Sequence, residues 1–134
     1  MASALLAVLL LSQAASSAAV DSLQGTWTIS TVNGQAVADL GKKMSLTFTR
    51  DRYTQTTDGQ VMERGTFKID ASKKPMTIDM RITEGVAVGE TQIGVVQVVG
   101  DTLTLKTNTV GTPLRPTDFK PQVWYVLIVA KKGK

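Results

Sequence analysis

A two-residue alternation of apolar and polar side chains constrains this chain more than any other feature. Met76, Ile78, Met80 and Ile82 alternate with Thr77, Asp79, Arg81 and Thr83. That pattern gives an extended strand one face for a core and one for water. Trp27 and Ile29 alternate with Thr26, Thr28 and Ser30; Met44, Leu46 and Phe48 with Ser45, Thr47 and Thr49; Leu103 and Leu105 with Thr102, Thr104 and Lys106. Further strands are read at 53–57, 60–69, 91–99 and 123–130. Asn33-Gly34, Asp58-Gly59 and Gly100-Asp101 separate them. Asp-Gly is the strongest of these signals, because a type I′ hairpin needs positive φ at both central residues. Gly65, inside a strand, marks a bulge, a bend or a close backbone approach.

Only Val37, Leu40 and Met44 recur at helical spacing, over a segment too short for more than a turn or two. Two runs, Thr91–Val99 and Val123–Ala130, are apolar on both parities, so periodicity leaves their inward face open. Between the last two strands, Pro113, Pro116 and Pro121 forbid regular structure across Leu114–Phe119. Eight short strands joined by tight turns predict an all-β domain, an antiparallel up-and-down barrel whose closure removes exposed edges. A two-sheet sandwich is the alternative.

The N-terminus reads differently. An apolar run from Ala4 to Leu11 precedes the small-residue tract Ala14–Ala19, the layout of a secretory signal peptide. Ser17 and Ala19 suit the positions before a cut, so residues 1–19 are expected to be a signal peptide cleaved after Ala19, and 20–134 the barrel domain. The protein is therefore expected to be periplasmic, in the cell envelope or extracellular. The run is too short to span a bilayer, and no membrane span is expected after cleavage. No Lys or Arg precedes it. An uncleaved anchor or a buried N-terminal helix is the competing reading.

Inventory excludes several chemistries. With no histidine and no cysteine among 134 residues, serine–histidine–aspartate catalysis, cysteine nucleophiles, thiolate or imidazole metal sites and disulfides are all ruled out. Asp51, Asp58, Asp70 and Asp101 sit at turns, where they satisfy local backbone donors. No glycine-rich loop leads from a strand into a helix, so nucleotide binding lacks support. The net charge of +4 is partly collected in the tail Lys131-Lys132-Gly133-Lys134, without an aromatic platform, so nucleic acid is not an expected partner. No catalytic residue, metal ligand or cofactor is assigned. Whether the chain is an enzyme is left open, with no catalysis the expectation. A carboxylate-dependent enzyme drawing on Glu63, Asp79 or Glu90 is the lesser alternative.

What remains is the barrel interior. Phe48, Phe67, Met76, Ile78, Met80, Leu103 and Leu105 are the candidates to project inward, where they would either line a pocket for a small hydrophobic ligand or pack against one another. The thioethers of Met76 and Met80 would let such a pocket adapt. Tyr53 and Tyr125 would either carry polar handles at a rim or edge the core, and Tyr125 is included among the ligand-binding candidates.

The motifs Leu23-Gln24-Gly25-Thr26-Trp27, Leu46-Thr47-Phe48-Thr49-Arg50-Asp51-Arg52-Tyr53, Gly65-Thr66-Phe67-Lys68-Ile69-Asp70, Lys74-Pro75-Met76-Thr77-Ile78-Asp79, Gly100-Asp101-Thr102-Leu103 and Arg115-Pro116-Thr117-Asp118-Phe119 occur in sequential order. Together they resemble a largely uncharacterised family of secreted lipocalin-like domains abundant in planctomycete-type bacteria. The resemblance implies a small exported β-barrel. Gly25-Thr26-Trp27 is similar to the Gly-x-Trp that begins the first strand of lipocalins, where the tryptophan closes one barrel end. By that likeness Leu23, Gly25 and Trp27 form a structural motif, with Leu23 starting strand one and plugging the end. A late basic residue, Arg115 or Lys131, is then expected to stack on Trp27. The chain departs from the family in lacking a Tyr near Val96 and a Cys near Lys106. The function expected is binding of a small apolar or amphipathic ligand. The alternative is a protein-interaction module with a packed barrel.

Overall fold

The computed structural model describes residues 15–109 and 114–133; the apolar leader run and Pro113 lie outside the described residues. Residues 15–23 form a helix, α1. The strands are β1 (Gly25–Val32), β2 (Gln35–Ala36), β3 (Met44–Thr49), β4 (Arg52–Thr57), β5 (Gln60–Asp70), β6 (Thr77–Glu84), β7 (Thr91–Val99), β8 (Thr102–Asn108) and β9 (Tyr125–Lys132). Each of β3 to β9 pairs antiparallel with its sequence neighbour, and β1 pairs with both β3 and β9. The result is a closed eight-strand antiparallel barrel with one extra strand, β2, hairpinned onto β1.

Local chemistry accounts for most of these boundaries. Asn33-Gly34 and Asp58-Gly59 both take positive φ at both residues (52° and 80°, 50° and 82°), the backbone that a two-residue hairpin requires. The helical spacing at Val37 is one 3-10 turn, Val37–Leu40, ended by Gly41 in the left-handed region; Met44 already belongs to β3. Strand one begins at Gly25, because Leu23 is the last residue of α1. The final strand starts two residues later than its sequence suggests, after Trp124 turns the chain with φ at 77°.

Register settles the undecided parities. Leu103 and Leu105 face inward, and their partners in β7 are Val98 and Val96; in β9 they are Ala130 and Ile128. Val95, Lys106 and Leu127 therefore lie in one row on the outer wall. Val95 and Lys106 are nonetheless fully buried. Residues 114–122 lie against this part of the outer wall: Arg115 reaches β6 and β7, while Asp118 and Gln122 reach Lys106. Both parities of β7 are apolar because part of that strand is covered on both sides.

Two interior glycines are set by contact. A Cβ on Gly65 would lie 2.1 Å from the Arg81 carbonyl oxygen and 2.6 Å from the Tyr53 ring; one on Gly94 would lie 2.3 Å from the Lys106 carbonyl oxygen. The strand position of Gly65 thus reflects close backbone approach, beside a register shift between β5 and β6.

Candidate functional site

The two barrel ends are built differently. At the end where β1 begins, α1 packs Leu23 into the core with no exposed surface and Val20 partly buried beside it. Trp27 is 1% exposed, and its indole Nε1 donates to the Leu23 carbonyl at 2.8 Å. Gln24 clamps the β3–β4 turn: its Oε1 accepts from the Arg50 amide at 2.5 Å and its Nε2 donates to the Arg50 carbonyl at 2.9 Å. Gly25 enters β1 at a φ of 106°, where a Cβ would meet the Lys132 ammonium. That ammonium lies 4.6 Å from the Trp27 ring centroid and donates to the Gln24 carbonyl.

The basic residue over Trp27 is thus Lys132, rather than Arg115 or Lys131. Trp27 faces Lys132 directly in the β1–β9 register, while Lys131 points to the opposite face and donates to the Thr102 hydroxyl. Arg115 is on the barrel wall, donating to Asp79 Oδ1 at 2.6 Å and to the carbonyls of Ile78 and Gly94 at 3.1 and 3.0 Å. Spacing could not separate adjacent lysines whose roles depend on pairing with a strand at the other end of the chain.

Of the candidate pocket residues, Phe48, Phe67, Ile78, Met80, Leu103 and Leu105 fall in one continuous core cluster, with Met76 packed against it. Phe48 and Phe67 meet edge to face, ring centroids 5.0 Å apart. Tyr125 is not among them. It shares the outer parity of Asn108 and lies under the Lys106 ammonium, 5.0 Å from its ring centroid. Lys106, expected on a solvated face, also contacts Asp118 at 3.2 Å and Gln122 at 2.5 Å. The Lys120 amide and then the Lys106 ammonium hold the Asp118 carboxyl below its ordinary range.

The carboxylates considered for catalysis do not converge. Asp79 is tied to Arg115 on the wall and Glu90 is exposed in the β6–β7 turn region. Glu63 accepts from the Tyr53 hydroxyl at 2.8 Å. Burial first, and then that hydrogen bond, push the Tyr53 hydroxyl far above its ordinary 10.0, so it keeps its proton and acts as a donor. Among the described residues no three Asp or Glu side chains gather as a metal site, and no helix is long and apolar enough to cross a membrane.

The opposite end is open on one side. β1 pairs with β3 only from Gly25 to Thr28; beyond that, its register against β9 shifts between Ile29 and Thr31, and it leaves β3. The gap is a cleft of about 640 Å³, with Ile29, Val37, Ala38 and Met44 as apolar walls, Lys42 and Lys43 at one side, and hydroxyls from Ser30, Ser45 and Thr56. Ile29 and Val37 are themselves core residues, so the cleft reaches the packed interior. Sequence reasoning missed this site. The one signal was the helical spacing at Val37 and Leu40, which predicts no more than a turn or two and does not mark a wall.

A family model described as a lipocalin-like domain matches residues 23–109, more than half of the chain. Neither the curated proteins nor the solved structures contain a match.

Proposed function

Because the chain belongs to the lipocalin-like domain family, we propose that it is an exported barrel that binds a small apolar or amphipathic molecule and performs no catalysis on it. The observation that carries this reading is the open-end cleft. Its volume of about 640 Å³ falls among ordinary small-ligand pockets, roughly 300–1,000 Å³. Its walls combine four apolar side chains with a few hydroxyls, the mixture that gives affinity from burial and orientation from polar contacts. Phe48, Phe67, Met76, Ile78, Met80, Leu103 and Leu105 do not line the cleft; they belong to, or pack against, the core cluster that Ile29 and Val37 join. Export is supported by the apolar-then-small layout of residues 1–19.

The test is displacement of a neutral naphthylamine fluorophore by a panel of small apolar and amphipathic compounds, with native mass spectrometry for carried ligand. Ala38 is exposed at the cleft wall. Ala38→Trp is therefore expected to weaken binding at least tenfold while stability stays within about 0.5 kcal/mol. Absence of both fluorophore binding and carried ligand in the unsubstituted protein would sink the proposal.

A second reading, a cell-envelope or extracellular interaction module, has its own support. Leu40, Met62, Val86, Val88, Val123 and Trp124 are exposed large apolar side chains at the same open end. Apolar surface concentrated in one place marks contact with another molecule.

A further inference from the structure

The open-end cleft holds two cations that the fold does not use. Lys42 and Lys43 both line it, and neither ammonium makes an ion pair or hydrogen bond with a described residue. Their backbone, by contrast, is pinned. The Lys42 amide donates to the Val37 carbonyl at 3.4 Å, the Lys43 amide to Asp58 Oδ1 at 2.9 Å, and the Asp58 amide to the Lys43 carbonyl at 2.7 Å. The stems thus start from a held position beside an apolar wall while their charged ends are unspent. Asp58 directs its carboxylate at the Lys43 amide, and neither Asp58 nor Asp39 of the neighbouring turn lines the cleft.

Lysine stems cover apolar surface while the ammonium seeks water or an anion. A chain lying on Ala38 and Met44, over the buried Ile29 and Val37, would therefore bring its polar end to two unpaired positive charges. We propose that the cleft takes a single-chain amphiphile with an anionic headgroup, the chain against Ala38 and Met44 and the headgroup at Lys42 and Lys43. This rests on the small-ligand reading above and adds to it the sign of the ligand's charge.

The test uses the full chain at low ionic strength, with dodecanoate, dodecanol and dodecyltrimethylammonium competing against a neutral naphthylamine fluorophore. Dodecanoate is expected to bind about fivefold tighter than dodecanol, from two partly solvated ion pairs. The cation should bind weakest, and the preference should shrink at high salt. In the Lys42→Gln, Lys43→Gln double variant, dodecanoate should fall to the affinity of dodecanol while dodecanol is unchanged. Equal binding of dodecanoate and dodecanol by the unsubstituted protein, or a preference that survives the double substitution, would overturn the anionic assignment and leave the small-ligand reading standing. Failure of the fluorophore and all three competitors to bind would overturn both.

Discussion

The chain has two tryptophans, one at each end of the barrel, and they are opposites. Trp27 is 1% exposed, hydrogen bonded to Leu23 and covered by Lys132; Trp124 is 70% exposed and sits in a turn at positive φ. The end around Trp27 is tied by contacts between residues far apart in sequence, Gln24 to Arg50 and Lys132 back to Gln24. At the end around Trp124, β1 parts from β3 and leaves apolar surface uncovered. The first region uses its apolar side chains for stability. The second keeps them available, which is the division expected when one end of a barrel closes the fold and the other meets a ligand.

The largest effect should come from Trp27→Ala, which removes the biggest side chain of the closed end. A loss of about 3–5 kcal/mol is expected in urea unfolding. Retained stability would erase the contrast between the ends.

The wall covering at residues 114–122 provides a sharper test, because it starts from the open-end connection yet buries a charge. Asp118→Ala leaves the fully buried Lys106 ammonium with only Gln122 and the Tyr125 ring among the described residues, and should lower the unfolding midpoint. Lys106→Met removes the charge itself and should cost less than Asp118→Ala. The reverse order in thermal or urea unfolding would show that the covering is held by something other than this pair. Asp118 titrates lower in the folded protein than in the unfolded chain, so its contribution is complete above about pH 4 and lost as pH falls below that.

Tyr53→Phe comes next, with an expected loss of about 1 kcal/mol at neutral pH from the Glu63 hydrogen bond. Its signature lies at high pH. The unfolded tyrosine ionises near 10 while the folded one keeps its proton, so stability should fall as pH rises past that value. That alkaline slope should diminish in Tyr53→Phe, and a slope unchanged by the substitution would place its origin elsewhere.

The smallest effect belongs to Trp124→Gly, within about 0.5 kcal/mol, since little surface is buried and glycine accepts the turn's positive φ. A loss approaching that of Trp27→Ala would mean the open end carries stability after all.

The pocket candidates show where sequence reasoning stops. Phe48, Phe67, Ile78, Met80, Leu103 and Leu105 were legible as inward because alternation is a property of each strand alone. The same alternation placed Lys106 on a solvated face, and that inference failed for a reason no strand contains: residues 114–122 cover it. The cleft was invisible because it lies where β1 leaves β3 and pairs with β2 instead, an exchange of partners that no single strand encodes.

By itself, the sequence determined every strand except β2, the turns at Asn33-Gly34 and Asp58-Gly59, the inward parity of the alternating strands, and the exclusion of histidine and cysteine chemistry. These follow from neighbours along the chain, through backbone sterics and residue inventory. Tertiary structure alone decided that Lys132 covers Trp27, that Lys106 is buried, that Tyr125 faces outward and that the rim opens beside Lys42 and Lys43. Each depends on which distant segments closure of the barrel brings together, and Gln24 and Lys132, 108 residues apart, meet only when β1 pairs with β9.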